Sequence, residues 1–165
     1  MLAAVAMSAG AVSAQYAAPA ESETGVDVTD IERRAHEATS EVGDWGKASR
    51  LYRRAAELRV DDPAAAKHYR MAGLLAFYSG HESDAVDDLT RAGETALEWG
   101  DLGGAARAFF DAAWVAESDG HDADALLLAQ RAERLARSPL LAAQDRAALL
   151  SRITDGPVPP EMPKY

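Results

Sequence analysis

The sequence predicts an all-α fold, and three observations support this. Alanine, the strongest helix former, occurs 37 times in 165 residues, whereas aromatic residues make up only 7%. Apolar residues recur at spacings of four and three along most of the chain, which places them on one face of a helix. A glycine followed by Asp or His also recurs at intervals suited to helical hairpins.

The chain begins with an uncharged stretch, and residues 1–20 are predicted to be a signal peptide or apolar leader. Its apolar part, Leu2–Ala14, has the length of a signal core and is too short to span a bilayer. Val12-Ser13-Ala14 and Ala18-Pro19-Ala20 suit a signal peptidase, although no Lys or Arg precedes them. We therefore expect a periplasmic or secreted protein. A leader on a cytoplasmic protein and an uncleaved membrane anchor remain alternatives.

Three segments follow this leader. Residues 21–28 are polar and acidic and are predicted to be a flexible linker. Residues 29–153 carry the helical periodicity and form the predicted repeat domain. Residues 154–165 contain Pro and Gly without an apolar period, so we expect a disordered Pro-rich tail.

The repeat domain is organised by glycine turns and alanine stripes. Gly takes the left-handed conformation that ends a helix, and alanines on one face allow a second helix to approach closely. Each turn glycine is followed by Ala five residues later and by another Ala seven residues after that. The glycines are Gly43, Gly80, Gly100 and Gly120, and the alanines are Ala48, Ala85, Ala105, Ala125, Ala55, Ala92, Ala112 and Ala132.

These turns divide the domain into seven predicted helices. Asp61-Asp62-Pro63 marks one start, because Pro suits the first turn of a helix. Glu82 and Asp122 lie in other first turns, where the helix dipole favours negative charge. The predicted helices cover residues 29–42, 44–59, 62–79, 81–98, 101–118, 121–137 and 140–153.

The order of large and small residues resembles the tetratricopeptide repeat family over about residues 29–139. The best-matching unit contains Tyr69, Ala72, Gly73, Ala76, Gly80, Ala85, Leu89 and Ala92, and the next contains Phe109, Ala112, Ala113, Ala116, Gly120, Ala125, Ala129 and Ala132. The turn glycines Gly43, Gly80 and Gly120 are 37 and 40 residues apart, whereas the family period is about 34. The resemblance implies a right-handed α-solenoid of about three hairpins, and helix 140–153 would cap its end.

The family binds peptides in a concave groove lined by the first helix of each hairpin. The resemblance therefore implies a peptide-binding face with cations and aromatics that could hold an acidic segment or a terminal carboxylate. Two alternatives remain open: the aromatics belong to the core, or the cations pair with nearby acids. The implied residues are Lys67, Arg70, Leu74, Phe77, Arg107, Phe110 and Trp114, with Arg33 a weaker candidate.

Other ligand chemistry has less support. His81 and His121 share one repeat position beside acidic residues, but capping a helix explains them better than metal binding, so no residue is assigned as a metal ligand. Trp45 and Trp99 are expected to pack between successive hairpins. We found no motif for catalysis or for a cofactor, and the absence of cysteine excludes a thiol nucleophile and a Cys-based zinc site.

Charge restricts the partners. The formal net charge of −10 should repel nucleic acid, and no basic run is longer than Arg33-Arg34 or Arg53-Arg54. We therefore expect an exported, non-catalytic scaffold of a bacterial envelope that binds a protein or peptide, not nucleic acid, and has no membrane span after signal removal. The alternatives are a self-assembling structural module, hence a homo-oligomer, and a periplasmic protein that binds a small ligand or metal.

Overall fold

The computed structural model describes residues 27–40, 44–154 and 160, and this part of the chain is all-α with no strand. The leader, most of the linker and most of the tail predicted above lie outside these residues. The helices are α1 (Val28–Ser40), α2 (Trp45–Leu58), α3 (Ala64–Tyr78), α4 (Glu82–Glu98), α5 (Leu102–Ser118), α6 (Asp122–Ala136) and α7 (Ala143–Thr154).

The described helices pack in chain order, each against the next, and α7 lies against both α5 and α6. This arrangement is a solenoid-like stack compatible with a helical-hairpin repeat, which confirms the predicted fold class. The described hairpins are α3–α4 and α5–α6, preceded by the pair α1 and α2.

Three turn glycines have the left-handed conformation predicted for them. Gly80, Gly100 and Gly120 have φ angles of 76°, 75° and 79°. After each glycine, the next residue's N–H donates to a carbonyl in the last turn of the preceding helix; His121 N, for example, donates to Ala116 O at 2.8 Å. This bond is typical of a Schellman motif, so glycine both ends the helix and satisfies its last carbonyls. Gly43 lies outside the described residues.

The alanine stripes form the seams between helices. All eight alanines at the repeated positions are buried, as are the intervening Tyr52, Leu89 and Phe109. Gly73 on α3 is in closer contact still: a Cβ atom there would lie 2.7 Å from Leu89 Cγ and 3.0 Å from the Ala85 carbonyl oxygen. The small residues are therefore required by the distance between α3 and α4.

The helices start near the predicted residues, but the side chains that cap them are aspartates and not histidines. Asp101 is the N-cap of α5, and its Oδ1 accepts the Gly104 N–H at 2.8 Å. Before α3, Asp62 Oδ1 accepts the Ala64 N–H at 2.8 Å. His81 and His121 occupy the N-cap positions of α4 and α6 without a side-chain capping bond.

The last helix begins later than predicted. It starts at Ala143, three residues after the predicted start, because residues 137–142 form a turn in which the Leu140 N–H donates to Ser138 Oγ at 3.3 Å. Leu140 is consequently 84% exposed. Leu149 is the buried residue of α7, and it joins Ala106 and Ala136 in a core cluster at this end of the stack.

Candidate peptide-binding face

The predicted binding residues of α3 and α5 do not share one groove. Lys67, Arg70 and Arg107 line one cleft, and Phe110 and Trp114 line another. Leu74 and Phe77 line neither of these clefts. Along α5, Arg107, Asp111 and Trp114 follow one another at spacings of four and three, so they share one face of the helix. Arg107 lines the first cleft and Trp114 the second, and Asp111 lies between them in sequence. The cations and the aromatics are therefore parts of separate local environments.

The first cleft, which we call the cationic cleft, has a volume of about 280 Å³ and lies among α3, α4 and α5. It brings together three of the predicted cations, Lys67, Arg70 and Arg107. Lys67 and Arg107 are exposed, and neither forms an ion pair with another described residue. The one carboxylate lining the cleft, that of Asp101, caps α5. The cleft is thus locally positive on an acidic protein.

Arg70 has a structural partner. Its Nε and Nη2 atoms both donate to Asp111 Oδ2, at 3.0 and 2.7 Å. The other oxygen of Asp111 accepts from Arg152 Nη2 at 2.6 Å, and the Asp111 side chain is 0% exposed. A buried carboxylate needs such partners, because an unpaired charge in the interior is strongly unfavourable. Arg70 therefore borders the cationic cleft while its guanidinium is already engaged.

The second cleft, which we call the apolar cleft, has a volume of about 370 Å³. It is lined by Phe110 and Trp114 on α5, by residues of α6 including Leu126, and by Ile153 near the end of α7. Phe110 and Trp114 are half-buried, and the Arg152 guanidinium lies 5.2 Å from the centre of the Phe110 ring. These two aromatics pack against the core and also present ring surface to the cleft, so neither the core nor the groove interpretation describes them fully.

An aromatic row runs from this cleft to the start of α2. The Trp114 and Phe77 rings are edge to face at 5.2 Å, the Phe77 and Tyr78 rings at 5.2 Å, and the Tyr78 and Trp45 rings at 5.9 Å. Trp45 thus packs between the first two hairpins, as predicted. Trp99 does not, since it is 49% exposed. We use the term aromatic row for Trp45, Phe77, Tyr78 and Trp114.

Two predicted residues are corrected by their surroundings. Leu74 is completely buried and packs with Leu89 and Val115 in a core cluster, so it is not a groove-lining residue. Arg33 pairs with Asp30 and Glu37 on its own helix and lines none of the clefts described above. The resemblance places both by repeat position alone and does not take account of these contacts.

Two residues that organise this region are absent from the sequence prediction: Asp111, which binds Arg70 and Arg152, and Tyr78 of the aromatic row. Asp111 was not singled out, because an isolated Asp between apolar residues carries no motif. Tyr78 was not singled out either, because it follows Phe77 directly and adjacent residues on a helix point about 100° apart. The cluster of aromatics at the end of α3, Phe77-Tyr78, was the available signal.

Two largely buried ionisable residues, Asp88 and His68, lie outside both clefts and contact side chains of neighbouring helices. Asp88 on α4 is 2% exposed, and its Oδ2 accepts from Arg53 Nε at 2.9 Å. Burial raises the pKa of Asp88 to about 6, although the hydrogen bond from Arg53 opposes this shift. Burial also lowers the pKa of His68, which lies 3.2 Å from Glu32. In the described ranges no group of three or more His, Asp and Glu side chains is placed to hold a metal ion.

Searches of protein-family models, of curated proteins and of solved structures gave no match for this chain. No helix among the described residues is both long enough and apolar enough to cross a membrane.

Proposed function

We propose that this chain is a non-catalytic, tetratricopeptide-like scaffold that binds a carboxylate-bearing peptide or protein segment at the cationic cleft. The observation that carries this proposal is the pair of exposed cations, Lys67 and Arg107, which line one cleft without an acidic partner among the described residues. Unpaired cations facing a shared concavity are available to a ligand, whereas most other arginines of the described chain are paired with acids.

The chemistry of the cleft fits a carboxylate. Arg107 presents a planar fork of donors that matches a carboxylate, and Lys67 supplies a second, more mobile positive charge. The apolar walls contributed by Ala66, Ala92 and Ala108 exclude some water and strengthen these interactions. Because the chain carries a net charge of −10, a local positive cleft would also select where an acidic segment binds.

Calorimetry with the full chain tests this proposal. The probe is an octapeptide of glutamate and serine with a free C-terminal carboxylate. The double variant Lys67→Glu/Arg107→Glu should weaken its binding at least about tenfold, equivalent to some 1.4 kcal/mol. Binding to the unmodified protein should weaken as salt is added, because the interaction is between charges near solvent.

A matched control separates a cleft effect from a net-charge effect. Arg50 on α2 and Arg134 on α6 are exposed and form no ion pair within the described chain. The double variant Arg50→Glu/Arg134→Glu makes the same change in net charge outside the cleft and should bind the peptide as the unmodified protein does. Equal losses in both double variants, or no loss in either, would contradict the proposal.

Self-assembly is a second candidate, and exposed apolar residues favour it. Leu126 and Leu127 on α6 are 59% and 64% exposed. Contiguous exposed apolar surface is a feature of protein–protein contacts, and these two adjacent leucines would contribute to such a surface. Light scattering would reveal a dimer or larger particle, and Leu126→Ser with Leu127→Ser should then return it to a monomer. A monomer at all concentrations would exclude this candidate.

We also propose export, on the composition of residues 1–20, which lie outside the described residues. N-terminal sequencing of protein from the producing cell should begin at Gln15 or Glu21. Recovery of chains that begin at Met1 from the cytosol would contradict export and would leave the binding proposal intact.

A further inference from the structure

The C-terminal tail contacts the aromatic row at one described residue. Pro160 is completely buried. Its carbonyl oxygen accepts a hydrogen bond from the Tyr78 hydroxyl at 2.6 Å, across 82 residues of sequence. A proline that is buried beyond the last helix, and bonded to a residue of α3, indicates a specific docking position on the stack.

A buried proline beside aromatic rings, with its carbonyl bonded to a tyrosine hydroxyl, is the kind of contact by which proteins recognise proline-rich peptides. Aromatic-lined grooves bind segments in the polyproline II conformation, which has no internal hydrogen bonds and therefore leaves its carbonyls free to accept from the protein. The row offers Trp45, Phe77 and Trp114 as ring surfaces and the Tyr78 hydroxyl as a donor. The tail sequence supplies Pro157, Pro159, Pro160 and Pro163.

The connection between α7 and the row is short enough for this contact. Ile153, at the end of α7, lines the apolar cleft beside Trp114. Two ring spacings of 5.2 Å each separate Trp114 from Tyr78. From Thr154 to Pro160 the chain advances six residues, which span up to about 20 Å when extended. Six residues are therefore enough to connect the end of α7 with the Pro160 contact at Tyr78.

We propose that the aromatic row is a binding site for a proline-rich segment and that residues 155–165 of this same chain are its occupant. The tail is an internal ligand that covers the row and competes with any proline-rich partner. Tethering gives such a ligand an effective concentration on the order of millimolar, so a free peptide displaces it only at high concentration or with better contacts. This site is distinct from the cationic cleft and does not depend on it.

A single fluorescent label tests the proposal in the full chain. The protein contains no cysteine, so Met162→Cys provides a unique attachment point two residues after Pro160. Bimane attached there is quenched by tryptophan at short range, and Trp45 is the tryptophan in contact with Tyr78. Its fluorescence should be less than half that of the same label on the free peptide 155–165.

Three further measurements identify the docking position. Trp45→Phe should restore fluorescence, whereas Trp99→Phe, at an exposed tryptophan outside the row, should not. Tyr78→Phe removes only the hydroxyl that bonds Pro160 and should raise fluorescence, while the control Tyr69→Phe on the same helix should leave it unchanged. Unlabelled peptide 155–165, added to concentrations on the order of millimolar, should also restore fluorescence.

The opposite results are equally clear. Fluorescence equal to that of the free labelled peptide would show that the tail does not occupy the row. Quenching that persists both in Tyr78→Phe and under excess peptide would show that the label lies near a tryptophan for another reason. Either of these two outcomes would overturn the proposal. Lys67→Glu/Arg107→Glu should leave the quenching unchanged, so failure of the cationic cleft and failure of tail docking are distinguished.

Discussion

At the scale of single residues, the spacing between helices is determined by glycines and alanines. Gly73 faces Leu89 and Ala85 on α4, and Gly93 faces the Phe109 ring on α5, where an added Cβ would lie 2.7 Å from two ring carbons. Gly73 was predictable, because it occupies the small position of the repeat pattern. The need for glycine at position 93 was not predictable, because it arises from the Phe109 ring on the next helix of the stack.

Replacing Gly73 with Ala should destabilise the fold. The added methyl group overlaps Leu89 and backbone atoms of α4, and forced overpacking of this kind costs about 1–3 kcal/mol. Gly46→Ala is the matched control, since the nearest atom to its Cβ is Arg50 Nη1 at 3.6 Å. Urea denaturation should show a loss for Gly73→Ala and none for Gly46→Ala. Equal midpoints would mean that the helices do not approach as closely as described.

The raised pKa of Asp88 predicts a pH-dependent stability. Its pKa is about 6 in the folded chain and 3.8 as an ordinary carboxyl. Between these values the folded state holds a proton that the unfolded state has released, so this residue's contribution to stability is present at low pH and is lost as pH rises through about 6.

Comparison with Asp88→Asn isolates this contribution. The unfolding free energy of the unmodified protein, relative to the variant, should fall by about 2 kcal/mol between pH 4 and pH 7, mostly in the interval between the two pKa values. Burial lowers the pKa of His68, so its contribution to stability changes with pH in the opposite sense, but His68 is present in both proteins and its contribution cancels in the difference. If the unfolding free energy of the unmodified protein rose with pH relative to that of Asp88→Asn, the ion pair with Arg53 would affect the pKa of Asp88 more than burial does.

At the scale of helices, contacts between polar side chains join alternate members of the stack. Helices two apart in the chain are close enough for long side chains to meet across the stack. Every such pair of described helices is bridged: Glu32 with His68, Arg53 with Asp88, Arg70 with Asp111, Glu94 with Arg131, and Asp111 with Arg152.

Removing Arg70 tests whether these bridges support the stack. Arg70→Met leaves the buried Asp111 with one of its two partners and should lower the unfolding free energy by about 1–3 kcal/mol. Arg107→Met, on the same face but without a described partner, should stay within about 0.5 kcal/mol. If chemical denaturation gave the same small change for both, the Arg70 pair would be incidental and Arg70 would be free to bind a ligand.

Helix positions were largely predictable, whereas the pairing between helices was not. Gly80, Gly100 and Gly120 marked helix ends correctly because the left-handed conformation is a local property. The start of α7 was misplaced because Leu140 and Leu141 extend the apolar pattern into a turn. Arg70 and Asp111 are 41 residues apart, and their pairing depends on which helices are neighbours, which no local pattern states.

At the scale of the whole molecule, an acidic chain has a positive cleft among α3, α4 and α5 and an aromatic row that extends from α2 through α3 to α5. The cation positions were predictable from the repeat resemblance, because first-helix positions recur on one face. Their separation from the aromatics was not, because it results from the buried Arg70–Asp111–Arg152 bridge between them.

The most direct test of the account is a residue-resolved map of where an acidic ligand binds. Titrating the isotopically labelled full chain with the glutamate–serine octapeptide, followed by amide NMR, reports every helix at once. We predict shift changes concentrated around Lys67, Arg107 and the N-terminal turn of α5, with α2 and α6 unaffected. Changes confined to α2 and α6, or no changes at peptide concentrations on the order of millimolar, would contradict the assignment of this cleft as the binding site.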